Sequence, residues 1–124
     1  MFKDTPAFSS FSVDDIAKAQ AFYADTLGLE TTQPMGMLSL TLGGGGSVFI
    51  YAKPDHIPAS FTVLNFRVPN IDQAVSDLAG RGIKFERYPE MKMDAQGISR
   101  EAGGPAIAWF KDPAGNIISV LQNG

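Results

Sequence analysis

The chain has 124 residues, of which 44% are hydrophobic and 19% charged, a balance that fits one folded domain and excludes an intrinsically disordered chain. Its net charge is −3 and its basic residues are scattered, which argues against nucleic-acid binding. Cysteine is absent, which excludes disulfides and thiol chemistry, and no signal peptide or membrane-spanning apolar run is visible, so we predict a cytoplasmic protein.

The first predicted elements are a strand and a helix. In the first strand, Phe11 and Val13 alternate with Ser10 and Ser12, the period of two that is typical of a strand with one apolar face. Asp14 or Asp15 can cap the following helix, whose apolar positions run through residues 16–27. Gly28 suits the end of that helix.

A glycine-rich hairpin follows the first helix. Residues 37–42 and 47–51 are predicted strands, and the glycines at 43–46 form the tip. The run precedes a strand rather than a helix and no Gly-Lys-Ser/Thr follows it, so it is not interpreted as a phosphate-binding loop. A linker with two prolines covers residues 53–60.

The second half of the chain repeats the first with a shift of about 55 residues. Its predicted strand is followed by a helix that Asn70 can cap and Gly82 can end. Strands are then predicted at 83–87, 106–111 and 116–121, with Gly115 in the last turn. The repeated apolar positions are Phe11, Val13 and Ile16 in the first half and Phe66, Val68 and Ile71 in the second.

Two motifs carry a resemblance to a known family. Phe22-Tyr23 with Leu27-Gly28-Leu29, and the Asp-Pro-Ala-Gly-Asn stretch at 112–116, resemble recognisable stretches of the vicinal oxygen chelate superfamily, which contains glyoxalases, bleomycin-resistance proteins and extradiol dioxygenases. The resemblance covers the chain from about Phe8 to Leu121. It implies an α+β fold in which two tandem βαβββ modules form curled mixed sheets around a cleft.

The same resemblance implies a domain plan and a set of metal positions. A single domain would cover residues 1–124, with module one at about 6–52, the linker at about 53–60 and module two at about 61–122. Proteins of this family hold a divalent metal with inward His and Glu side chains, and the corresponding positions here are Phe8, Ile50, Val63 and Ser119. None of the four is a metal ligand, so we predict no metal and no cofactor. The sole histidine, His56, is predicted to be solvated in the linker.

Strand alternation predicts which side chains face the cleft. Met91 and Met93 lie in a long loop and either cover the mouth of the cleft or fill a core. Arg67 either pairs with a ligand carboxylate or lies in solvent, and Trp109 faces either the core or the ligand. The remaining predicted ligand-binding residues are Phe8, Ser10, Ser39, Thr41, Ile50, Val63, Asn65, Phe110 and Ser119.

Three functions are compatible with this pattern. The first is a metal-free small-molecule-binding protein, similar to bleomycin-resistance proteins, that sequesters an apolar or antibiotic-like ligand. The second is a glyoxalase-like lyase or isomerase, or a dioxygenase, with an atypical or absent metal site; no catalytic residue can be assigned to it. The third is a protein-interaction module with a vestigial cleft. A homodimer is predicted, with neither nucleic acid nor membrane as partner.

Overall fold

The chain divides into two compact units. The computed structural model describes residues 1–101 and 104–123, and the units are Met1–Ile57 and Pro58–Gly124. The boundary therefore lies inside the segment predicted as a linker. Mixed parallel and antiparallel sheets with few helices confirm the predicted α+β class.

The first unit has the predicted βαβββ order. Its sheet has the strand order β1-β4-β3-β2, in which β1 runs parallel to β4 and the other neighbours are antiparallel. A single turn of 3₁₀ helix at Pro34–Gly36 precedes the third strand. The elements are β1 (Ser9–Val13), α1 (Ile16–Gln20), β2 (Glu30–Thr32), β3 (Leu38–Thr41) and β4 (Ser47–Ala52).

A π-helical turn extends α1 over Ala21–Thr26, where the sequence predicts a continuous α-helix. The Leu27 N–H donates to the Phe22 carbonyl at 2.9 Å, five residues back, which widens the helix. The ring of buried Tyr23 packs edge-on against Phe22 at 5.1 Å. Gly28, with φ 74°, then ends the helix in the left-handed region, as predicted.

The second unit has one strand fewer than predicted. Its elements are β5 (Thr62–Arg67), α2 (Ile71–Gly80), β6 (Ala106–Lys111) and β7 (Ile117–Gln122). The sheet order is β5-β7-β6, with β5 parallel and β6 antiparallel to β7. The strand predicted at 83–87 is absent: the Glu86 N–H donates to the Trp109 carbonyl at 2.8 Å, but no ladder follows.

Side-chain caps begin both helices. An Asp15 carboxylate oxygen accepts the Lys18 N–H at 3.1 Å, and Oδ1 of Asn70 accepts the Gln73 N–H at 3.0 Å. The sequence left Asp14 and Asp15 as alternatives for the first cap, and the structure selects Asp15.

Three five-residue turns, at 42–46, 94–98 and 112–116, close in the same way. In each turn, the backbone N–H of the first residue donates to the carbonyl of the fifth residue at 2.9 Å. The fourth residue is a glycine whose N–H donates to the carbonyl of the first residue. In the last two turns the first residue is an aspartate, Asp94 or Asp112. One carboxylate oxygen accepts the N–H groups of the third and fifth residues, each at 2.9 Å. The glycines are Gly45, Gly97 and Gly115, with φ of 94°, 92° and 86°.

Candidate functional site

A row of three side chains crosses the second sheet. Asn65 on β5 pairs with Ser119 on β7, and Ser119 pairs with Trp109 on β6. Paired residues point to the same face. The alternating residues of β6 and β7 are buried apolar side chains on the face that α2 packs against. We call the opposite surface, which carries Thr62, Asn65, Arg67, Trp109 and Ser119, the ligand face.

Two side-chain hydrogen bonds order this face. The Ser119 hydroxyl, which is fully buried, donates to Oδ1 of exposed Asn65 at 2.5 Å. The Trp109 Nε1–H donates to the Thr62 hydroxyl oxygen at 3.1 Å. These bonds satisfy the polar atoms of the row and fix the orientation of the indole and of the carboxamide.

Thr62 reaches the ligand face because β5 contains a bulge. The register shifts between Thr62 and Leu64, so Thr62 pairs with Ile117 and Val63 has no partner on β7. A bulge inserts one extra residue into a strand. Beyond it, each side chain points to the face opposite to the one that regular alternation predicts. Thr62 therefore takes the place predicted for Val63, and nothing in the spacing of the sequence marks the bulge.

An open pocket lies beside Trp109. The Tyr88 ring packs against the indole with 5.5 Å between centroids and an interplanar angle of 70°. Tyr88 also lines the pocket, whose volume is about 320 Å³. Met91 and Met93, two of the predicted site residues, are half-buried and line it too. The other lining residues are Arg87 and Pro89.

The loop that carries this pocket is anchored at several points. Ser99 exchanges two backbone hydrogen bonds with Ile107 of β6, at 2.8 and 3.0 Å. The Arg87 guanidinium donates to the Asp94 carbonyl at 3.0 Å. Arg100 bridges Asp72 of α2 at 2.6 Å and the Asp94 carboxylate at 3.6 Å. The pocket walls are thus held to both the sheet and the helix of the second unit.

Two ionisable groups of this loop have shifted pKa values. Burial raises the pKa of Tyr88, and the nearby carboxylates of Glu86 and Glu90 raise it further. Burial also acts to raise the pKa of Asp94. The N–H groups of Ile98 and Gln96, together with the Arg100 guanidinium, outweigh it and lower the pKa below its ordinary value.

The side-chain directions predicted for the last hairpin were wrong. Phe110 pairs with Ile118, is 1% exposed, and contacts the Phe85 ring edge-on at 5.8 Å. It therefore belongs to the core, while Trp109 belongs to the ligand face. The symmetric turn at 112–116 pairs Lys111 with the residue that follows the turn. Counting back from that pair puts Trp109 opposite Ser119, so the sequence did contain the signal.

The first unit gathers a second group of predicted residues. Ser10 of β1 and Ser39 of β3 both pair with Phe49 of β4, which puts these three side chains in one row. Thr41 lies two residues beyond Ser39, on the same face. The Phe49 ring stacks on Tyr51 with 6.4 Å between centroids. Neither Phe49 nor Tyr51 was predicted to lie on this face.

Ile50 was wrongly assigned to this face. It pairs with Phe11 and Leu38, is fully buried, and lies on the side of β4 that α1 packs against. The resemblance was used to place Ile50 at the metal position of the first module, but Thr41 pairs with Ser47 and Ser39 with Phe49, so Phe49 shares the face of Ser39 and Thr41. The true counterpart of Ser119 is Phe49.

Phe8 and His56 complete the first unit. Phe8 immediately precedes β1 and is 68% exposed. His56 was predicted to be solvated, but it is half-buried, and its Nδ1 lies 2.7 Å from the Ser12 hydroxyl oxygen. The Lys53 N–H donates to the Val13 carbonyl at 2.9 Å, so the segment after β4 is held against β1.

Comparison with known proteins agrees with this architecture. A family model described as the Glyoxalase/Bleomycin resistance protein/Dioxygenase superfamily matches residues 8–120. The chain belongs to this superfamily. The resemblance that the two motifs indicated is therefore confirmed.

Solved structures of superfamily members show the same fold. A glyoxalase family protein from Bacillus anthracis matches with a TM-score of 0.74 at 21% identity, over 100% of both chains. TnmS3, an antibiotic binding protein from Streptomyces sp. CB03234, matches with a TM-score of 0.71 at 25% identity, over 98% of both chains. By sequence, the chain is 24% identical to YraH of Bacillus subtilis, over 89% of this chain and 91% of that protein.

The residues of this superfamily member do not fit the divalent metal that the family resemblance implies. With the register corrected, the four positions carry Phe8, Phe49, Thr62 and Ser119. Phenyl rings and aliphatic hydroxyls cannot replace the imidazole and carboxylate ligands that such metals need. Within residues 1–101 and 104–123, no three His, Cys, Asp or Glu side chains are grouped so that they could hold a metal ion. Over the same residues, no helix is long and apolar enough to cross a membrane.

Proposed function

We propose that this superfamily member binds a small, largely apolar molecule on the ligand face of the second unit, without a metal and without chemical conversion. One observation carries the proposal. An ordered row of Asn65, Ser119 and Trp109 is linked, through the contact of Trp109 with Tyr88, to an open pocket of about 320 Å³ that Tyr88 lines. Apolar walls with a few oriented polar groups are the usual make-up of a small-molecule site.

The chemistry of the face supports binding rather than catalysis. Its polar groups are a carboxamide, two hydroxyls and a guanidinium, and none of these is a general base at neutral pH. Ser119 donates its proton to an amide oxygen, which cannot activate the hydroxyl for attack. The four positions that hold metal in relatives carry no ligand.

The relationship to TnmS3 supports the same class of function. That protein is an antibiotic binding protein, and it is similar to this chain over 98% of both sequences. We propose that the present chain likewise sequesters an antibiotic-like or other apolar compound. Phe8, Ser10, Ser39 and Thr41 of the first unit remain predicted ligand contacts.

Burial of an aromatic ring supplies only part of the affinity. A ring system that loses about 150 Å² of apolar surface gains roughly 4 kcal/mol at 25 cal/mol per Å², which corresponds to a Kd of about 1 mM. Association costs offset part of this gain, so tighter binding requires a larger buried area or polar contacts with the row.

We also propose a cytoplasmic homodimer. β1 and β5 are end strands of their sheets, and an end strand offers unpaired backbone groups to a second chain. Closed two-fold pairing is the commonest assembly of soluble proteins.

Fluorescent titration with the neutral probe 1-N-phenylnaphthylamine tests the binding proposal. Trp109 is the sole tryptophan in the sequence, so energy transfer from tryptophan reports that the probe is bound to the chain, and the Asn65→Phe variant tests whether it binds at this face. We expect saturable binding with energy transfer. Asn65→Phe should lower the affinity at least tenfold, because the larger side chain covers the row beside Ser119.

Ala17→Phe, at an exposed position of α1 in the first unit, is the matched control and should bind as the wild type does. Circular dichroism verifies that both variants are folded. Absence of saturable binding, or an unchanged affinity and energy transfer in folded Asn65→Phe, would contradict the proposal.

A further inference from the structure

Two neighbouring side chains of the ligand face offer mainly hydrogen-bond donors. Oδ1 of Asn65 accepts the Ser119 hydroxyl, which leaves the two donors of the amide NH₂ and one lone pair of Oδ1 available to a ligand. Arg67 follows two residues along β5 and therefore points to the same face. Within residues 1–101 and 104–123, neither this NH₂ nor the guanidinium has a hydrogen-bond or ion-pair partner.

The opposite end of the row presents an apolar surface. The Trp109 indole N–H is taken by the Thr62 hydroxyl, so the ring has no polar hydrogen left for a ligand. Tyr88 packs edge-on against that ring, and the two methionines beside it line the pocket. The nearby cation Lys111 lies 3.4 Å from the Glu86 carboxylate, which offsets its charge. Within residues 1–101 and 104–123, Arg67 is a cation of this face that has no ion-pair partner.

We propose that the ligand is an anion with an aromatic body, whose carboxylate or sulfonate binds Asn65 and Arg67 while its ring packs on Trp109. This inference rests on the proposed function and specifies the class of ligand. An amide NH₂ beside a guanidinium can satisfy an anionic oxygen and cannot satisfy a ligand donor. The chain as a whole is acidic, with a net charge of −3, so attraction of an anion must come from this local pair.

The spacing of the strands sets the size of the ligand. Asn65 and Trp109 lie two strands apart, which corresponds to about 10 Å at the usual separation of roughly 4.8 Å between strands. A fused two-ring aromatic acid spans most of that distance. A single ring with its carboxylate attached directly is too short to reach both ends.

A matched pair of fluorescent probes tests the inference. 8-Anilinonaphthalene-1-sulfonate and 1-N-phenylnaphthylamine share one aromatic body and differ by the sulfonate group. Both are titrated against the full chain, with energy transfer from Trp109 as the readout. We expect the sulfonate to bind more tightly than the neutral probe. Arg67→Gln should weaken the sulfonate about tenfold and change the neutral probe less than twofold.

Two further variants sharpen the result. Arg67→Lys keeps the charge but loses the planar fork, so it should retain a large part of the sulfonate affinity. Lys18→Gln removes one exposed positive charge on α1 of the first unit and should leave both probes unchanged. An equal effect of Lys18→Gln and Arg67→Gln would indicate general electrostatics and overturn the proposed anion site.

The outcomes separate the two proposals. If the neutral probe binds with energy transfer but the sulfonate is no tighter, or Arg67→Gln has no effect on it, anion recognition is wrong and the binding function stands. If neither probe binds, both proposals fail.

Discussion

The indole of Trp109 and the hydroxyl of Thr62 join two strands that do not pair with each other. Trp109 lies on β6 and Thr62 on β5, and β7 runs between them, yet Nε1 lies 3.1 Å from the hydroxyl oxygen. The bond crosses the ligand face beside the Ser119 row. It fixes the orientation of the indole ring, which also contacts the Tyr88 ring.

Thr62→Val should release the indole. The substitution keeps the shape and the β-branching but removes the acceptor, so the part-buried N–H loses its partner. We expect a loss of about 1 kcal/mol in the free energy of unfolding. Urea unfolding and the tryptophan emission maximum measure these effects, and Thr32→Val on exposed β2 is the control. Identical emission and stability in wild type and Thr62→Val would show that the bond has no role.

Asp94→Asn should make stability less dependent on acid pH. The folded-state pKa of Asp94 lies below its ordinary value of 3.8, so the aspartate stabilises the fold above that value. This contribution is lost as the pH falls below 3.8 through the folded-state pKa. The wild type should therefore exceed the variant in stability at pH 7, and the difference should shrink in acid. Denaturant unfolding at several pH values measures it, and a constant difference would contradict the prediction.

Tyr88→Phe should abolish an alkaline quenching of tryptophan fluorescence. The pKa of Tyr88 is raised above 10.0 because burial and two carboxylates disfavour the phenolate. Once formed, the phenolate lies against the Trp109 ring and can quench it. Stability is also expected to fall as the pH rises above 10, since the folded state disfavours ionisation. Tyr51→Phe, in the first unit, should retain the quenching, and quenching that persists in Tyr88→Phe would assign it to another group.

The purified protein should contain no stoichiometric transition metal. The positions that bind metal in relatives carry Phe8, Phe49, Thr62 and Ser119, none of which is a suitable ligand. Elemental analysis for Zn, Ni, Fe, Mn and Co measures this directly. One tightly bound metal per chain that disappears in Ser119→Ala would contradict the prediction.

The chain should be a homodimer in solution. Sedimentation equilibrium at micromolar concentration should give about twice the chain mass of 13.3 kDa. A single monomeric species under those conditions would exclude the proposed assembly.

Local features of the fold could be predicted from the sequence, while features that depend on register could not. The caps Asp15 and Asn70 and the glycines Gly28, Gly82 and Gly115 depend on a few neighbouring residues, and the structure confirms them. Side-chain direction depends on pairing between strands.

The errors at the site follow from this difference. The position placed from the resemblance was one residue out, so Ile50 instead of Phe49 was assigned to the first face. The bulge at Val63 and the contact of Tyr88 with Trp109 depend on residues far apart in the chain, for which spacing offers no signal. The direction of the Trp109 side chain could have been predicted from the turn at 112–116, because this turn fixes the pairing of β6 with β7.

The turns at 42–46 and 112–116 have one shape, but their sequences define it to different degrees. Asp112 accepts two N–H groups of its own turn, so a turn that began one residue earlier or later would lose these bonds. In the first hairpin four successive glycines tolerate several starting points at similar cost. Slippage of β3 against β4 is opposed mainly by the burial of Ile50 and its apolar neighbours. A polar substitution at Ile50 would therefore favour an alternative strand pairing as well as destabilise the core.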